Sequence, residues 1–238
     1  LLDDNFGNIP RAVEEGRNIY MTIKKTLLYL FSTNLAELLV IAIAVIALMP
    51  LPLTPAQLVW LNLVTDSFLV LVIAFLPVER DLSRHGTFTV SKYILDRATT
   101  LRLVFFGLVM TAGTFAVFFW YRQYDPALAQ TMAFLTLSLF QLCRLWSVRS
   151  RTQSVFTENP FDSPWLLVAT VAAIGLQVFA IHAPFMHAIL DTVPIAVTDW
   201  AIAFGVGFTI VLCDEVRKLF VRMRERADTQ KADIVSAT

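Results

Sequence analysis

The chain has 238 residues, 57% of them hydrophobic and 16% charged, with a mean hydropathy of +0.65 and a formal net charge of zero. Soluble domains average about 25% charged residues, so an ordinary soluble domain is excluded, and the balanced charge gives no polyanion-binding surface and hence no nucleic-acid partner. The two cysteines, Cys143 and Cys213, fall inside apolar blocks and read as small buried hydrophobes, not as a disulfide framework.

Residues 1–25 are charged and polar, begin without methionine and read as part of a longer polypeptide. The run EEGRNIYMTIKK continues without proline into the first apolar block. It predicts a helical stalk below the bilayer, with Lys24 and Lys25 at the interface, where long basic side chains reach water. Six blocks then follow, each long enough to cross a hydrocarbon core of about 30 Å at about 1.5 Å rise per residue. They cover residues 26–49, 55–77, 98–120, 130–147, 164–182 and 196–212. The expected fold is an all-α integral membrane protein, a six-helix transmembrane bundle over residues 26–220, followed by a disordered cytoplasmic tail at 221–238.

Prolines 50, 52, 55, 126, 160, 164, 184 and 194 stand at the joints between blocks, where a missing backbone donor disturbs least. The run from Glu158 to Asp162 reads as a turn capping the fifth span. Eighteen of the nineteen Lys and Arg residues fall on one side of the six-span arrangement, and Arg122 alone on the other. That bias predicts cytoplasmic termini and three short outward loops.

The first span holds Asn34 and Glu37, three residues apart and hence on one helical face. Glu37 lies about 11 residues, or roughly 16 Å, into the span. An ionised carboxylate there costs at least about 2.5 kcal/mol on insertion scales. The second span holds Asn62, Thr65 and Asp66 on one face, at the same depth from the opposite end. These five residues converge at mid-membrane and present oxygen donors suited to a hard cation such as calcium. The competing reading is a hydrogen-bonded cluster of protonated carboxyls that holds two helices together. Such glue is usually built from Ser, Thr, Asn or Gln, so two acids at one depth favour the cation site.

The fourth span adds Gln141, read as a weak ligand or an interhelical hydrogen bond, with the bond slightly favoured. Arg144, one turn toward the cytoplasm, is either a repelling charge or an interface anchor that snorkels away. His182 and His187 lie near the outer surface and make no metal site by themselves. Asp214 and Glu215 are expected to pair with Arg217 or Lys218, and glycines 107, 113, 175, 205 and 207 to permit close helix approach.

The segments DDNFGNIPRAVEEGRNIY, STNLAELL, LPLTPAQLVWLNLVTDS and LCDEVRKLF resemble the C-terminal part of a P-type cation-transporting ATPase. The similarity is to the calcium-pumping branch, bacterial members included. It covers essentially the whole chain, with the six spans in the place of the last six of ten. The resemblance implies an ion-binding membrane module of an ATP-driven plasma-membrane pump that exports calcium. It also implies that Asn34, Glu37, Asn62, Thr65 and Asp66 match the family's ion ligands, and that residues 1–25 end the phosphorylation domain. The implied partners are the lipid bilayer and an N-terminal part of the same polypeptide with actuator, nucleotide-binding and phosphorylation domains. Magnesium and ATP would bind there, since neither DKTG nor GDGxNDxP occurs in these 238 residues. Gln141 stands where two-ion pumps of the family carry glutamate, which implies about one ion per cycle. Two other readings stay open: a pump for manganese or sodium, and a non-catalytic membrane channel or subunit.

Overall fold

The computed structural model describes residues 8–75, 97–149 and 164–236. Regular structure among them is entirely helical, and six helices are long and apolar enough to cross a membrane. Residues 78–96 and the expected turn from Glu158 to Asp162 lie outside the described residues.

Helix α1 runs unbroken over 39 residues, Asn8–Ile46. At about 1.5 Å per residue its length is nearly twice the roughly 30 Å of a hydrocarbon core, so stalk and first span form one rod. It ends where Leu48 takes a left-handed conformation (φ 52°), and Pro50 and Pro52 prevent its resumption. Helix α2 occupies Pro55–Phe75. Thr54 and Gln57 close a capping box at its start, with Gln57 N donating to Thr54 Oγ1 at 3.3 Å and Thr54 N to Gln57 Oε1 at 3.1 Å. Its middle, Trp60–Asp66, is a π-helix, a rare widened turn that concentrates at functional sites.

Helix α3 spans Arg97–Arg122 and α4 spans Pro126–Val148. Asp125 caps α4 by accepting from Ala127 N at 3.0 Å. Pro126 fills the first helical position, where its missing N–H is harmless, so this helix starts four residues before the expected 130. Helix α5 covers Pro164–His182, the short α6 Pro184–Leu190, and α7 Val197–Ser236. The span limits among the described residues are 12–46, 55–75, 99–122, 126–148, 164–182 and 197–221, so the first, third, fourth and sixth expected spans shift at one end or both, and the second and fifth begin where expected. Two differences are larger. The outer connection expected as a loop contains α6, started by Pro184 and closed by Asp191 in the left-handed region. The tail expected to be disordered from 221 is helical to Ser236. No glycine or proline follows Gly207 up to that point, and Ala, Arg, Glu, Gln and Lys favour helix.

Helix α4 is the core. Eighteen of its 23 residues are buried, and it packs against α1, α3, α5 and α7. The other spans leave Leu38, Leu63, Leu101, Trp165 and Val171 exposed on their outer faces. Three glycines do admit close approach. A Cβ on Gly207 would lie 3.1 Å from Leu139 Cβ, one on Gly113 2.5 Å from Phe140 Cζ, and one on Gly107 3.0 Å from Leu35 Cδ2. Gly175 and Gly205 stand on exposed faces with nothing within 4 Å, so the close-approach reading fails for them.

Candidate cation site

Two buried carboxylates from neighbouring helices organise the site. On α1, Tyr29, Thr33 and Glu37 recur every four residues and so share one face. The π segment of α2 supplies Asn62, Thr65 and Asp66. Glu37 is 5% exposed and Asp66 2% exposed.

Each carboxylate accepts from two donors. Glu37 Oε2 takes Nδ2 of Asn62, and Oε1 takes Nε2 of Gln141 at 2.9 Å. Asp66 Oδ1 takes the Tyr29 hydroxyl at 2.9 Å, and Oδ2 the Thr33 hydroxyl at 2.9 Å. Neither acid has an ion pair among the described residues. Hydrogen bonds offset part of the cost of burying such groups, and a bound cation would offset the rest. An entering cation competes with these four donors for the same oxygens.

The third side chain of the π segment turns to another helix. Thr65 Oγ1 accepts from Nε2 of Gln177 on α5 at 3.2 Å. The segment's three polar side chains are therefore held from three directions. Asn62 meets Glu37, Asp66 meets Tyr29 and Thr33, and Thr65 meets Gln177.

Of the residues chosen from sequence, the structure joins Glu37, Asn62 and Gln141 in one hydrogen-bonded set, and it buries Asp66 and Thr65. Gln141 makes the interhelical hydrogen bond, and its Oε1 is buried without a hydrogen-bond partner among the described residues. Asn34 is not brought in. It is exposed and donates to Leu30 O of its own helix at 2.8 Å. A separation of three residues leaves about 60° of rotation between side chains, enough to put Glu37 inside and Asn34 on the rim. Arg144 does not snorkel to the surface. It is 4% exposed, with its Cζ 3.9 Å from the centroid of the Phe106 ring on α3. That face holds the guanidinium inside the bundle by cation–π attraction.

Tyr29, Thr33 and Gln177 were missed in the sequence reading. The four-residue recurrence of Tyr29 and Thr33 with Glu37 was available, as was a lone amide in the apolar α5. The remaining polar groups take ordinary roles. His182 stacks on Trp200, and His187 Nε2 lies 2.7 Å from Ile181 O. Asp214 pairs with Arg217 at 2.8 Å and Lys218 at 3.3 Å, as expected. Cys143 and Cys213 are free.

The sequence has counterparts among known proteins. The chain is 36% identical over 210 residues to a calcium-transporting ATPase of Bacillus subtilis, covering 87% of this chain and 24% of the relative. It is 31% identical over 237 residues to calcium-transporting ATPase 1 of Bacillus cereus, covering 92% of this chain and 27% of the relative. It is 30% identical over 232 residues to calcium-transporting ATPase type 2C member 2 of Mus musculus, covering 95% and 24%. The chain thus spans about a quarter of the length of these curated relatives. Residues 50–220, with the second-span part of the site and Gln141, match the sequence model described as cation transporting ATPase, C-terminus, and the chain belongs to that family.

Proposed function

We propose that this chain is the ion-binding membrane part of an ATP-driven pump that exports calcium across the plasma membrane, one ion per cycle. The observation that carries the reading is the buried pair Glu37 and Asp66, brought together from two spans with no ion pair among the described residues to neutralise them. Two negative charges match one divalent cation. Asn62, Thr65 and Gln141 would add neutral oxygens once the amides turn, toward the six to eight that calcium prefers.

Asn34 and Asn62 leave amides exposed partway along their spans. Lipid offers such groups no partner, so a preceding membrane segment of the longer polypeptide would cover this rim. Magnesium and ATP would be held by preceding cytoplasmic domains. Phosphorylation of an aspartate there would act through α1, whose rod joins the cytoplasmic stalk to Tyr29, Thr33 and Glu37. Such coupling requires two states that both sites bias. Both termini would lie in the cytoplasm, following the basic-residue bias.

The one-ion stoichiometry rests on α4. No acid occurs between Asp125 and Glu158, Gln141 is neutral, and Arg144 is buried one turn away. A second divalent ion beside the first would meet repulsion that water does not screen. The test is Glu37→Gln in the full-length pump. Calcium-dependent phosphorylation by ATP is expected to vanish while the protein stays folded, and normal calcium activation would overturn the reading.

A further inference from the structure

Gln177 lies on α5, is 1% exposed and sits in an otherwise apolar stretch, IGLQVFAI. Its Nε2 reaches 112 residues back along the chain to Thr65 Oγ1 at 3.2 Å. Its Oε1 is buried without a hydrogen-bond partner among the described residues. An amide with one end unsatisfied in an apolar interior is costly and is not retained for stability alone.

Thr65 occupies the π segment, where the widened turn breaks the register by which an α-helix would align it with Asn62 and Asp66. Among the described residues, Gln177 is the hydrogen-bond partner of the Thr65 hydroxyl. Gln177 donates to Thr65 Oγ1, which takes one lone pair and directs the other, together with the hydroxyl proton, elsewhere. Gln141 stands in a matching relation to Glu37, with its NH2 on a site oxygen and its carbonyl unspent.

We propose that Gln177 is a positioning residue of the cation site, acting through Thr65 by fixing the hydroxyl of the π segment so that its remaining lone pair is presented to the ion. This rests on the cation-site reading above and extends the site to a fourth helix, α5. Gln177 need not touch the ion. Its effect is to remove the rotational freedom that Thr65 would otherwise lose on binding, and such preorganisation is felt as affinity.

The experiment is equilibrium binding of radioactive calcium to the purified full-length pump, run on Gln177→Met, Thr65→Val and the double variant, with Glu37→Gln alongside. Methionine keeps the shape and removes the donor. Gln177→Met is expected to raise the half-saturating calcium concentration about three- to tenfold, with little change in the melting temperature of the calcium-free protein. In the Thr65→Val background the same change should add nothing, because the two residues act as one unit. Unchanged affinity in Gln177→Met overturns the proposal, and so does an equal further loss in the double variant. If Gln177→Met does not fold, Gln177→Leu, which also lacks the NH2 and adds no charge, replaces it in the same cycle and is judged by the same outcomes. If Glu37→Gln binds calcium normally, the cation-site reading itself fails. If Glu37→Gln loses binding while Gln177→Met does not shift it, only the role of Gln177 fails.

Discussion

Glu37 and Asn34 stand three residues apart on the same helix and meet different fates. Glu37 is buried and held by donors from α2 and α4, whereas Asn34 is exposed and donates to Leu30 O on its own helix. The second span repeats the contrast, with Asp66 enclosed and Asn62, four residues earlier, on the exposed rim. The difference separates side chains enclosed by the described helices from side chains left on an open rim. In the inner half both carboxylates are fully held by hydrogen bonds while the Gln141 and Gln177 carbonyls stay unspent among the described residues, and the outer half leaves the Asn34 and Asn62 amides exposed.

The largest expected effect falls on the inner half. In the full-length pump, Asp66→Asn should abolish calcium-stimulated ATP hydrolysis, because it removes half the negative charge available to a divalent ion in a medium that does not replace it. Retained calcium stimulation would erase the contrast between inner and outer residues.

The same contrast can be broken in the packing of α7. Gly207 faces Leu139 on the core helix, and Gly205 faces open space. Gly207→Val should cost about 1–3 kcal/mol by forcing α7 away from α4. Gly205→Ala should be neutral or stabilise by up to about 1 kcal/mol through helix propensity. Thermal unfolding of the detergent-purified protein compares the two, and equal destabilisation would mean that α7 does not pack as described.

Asn34→Ala addresses the rim. It should weaken apparent calcium affinity by about tenfold or less, since it removes one neutral oxygen and no charge. A total loss like that of Asp66→Asn would place Asn34 among the indispensable inner ligands. The smallest effect belongs to Ser67→Ala. Its hydroxyl donates only to Asn62 O at 3.1 Å on the exposed side, so calcium activation should stay within about twofold of the unaltered pump.

The six spans were legible because lipid demands length and apolarity, and both are written in the chain. The acids were legible because a carboxylate deep in a span is costly enough to signal purpose. The π segment was not, since Trp60–Asp66 shows the same residue pattern whether the turn is α or π. Without it, Thr65 could not be assigned to α5, and Gln177 looked like a stray amide. The exposure of Asn34 and the burial of Arg144 were not legible, for a shared reason. Sequence spacing gives a helical face to within about a quarter turn, and burial is decided by which neighbour covers that face. Phe106 covers Arg144, and none of the described residues covers Asn34.

The central claim is that Glu37 and Asp66 between them hold a single divalent cation, with the neutral Gln141 and the buried Arg144 leaving no charge for a second. Equilibrium binding of radioactive calcium to the purified full-length pump, normalised to active phosphorylation sites, tests it most directly. The account predicts a ratio near one without cooperativity. A ratio near two with positive cooperativity would contradict it.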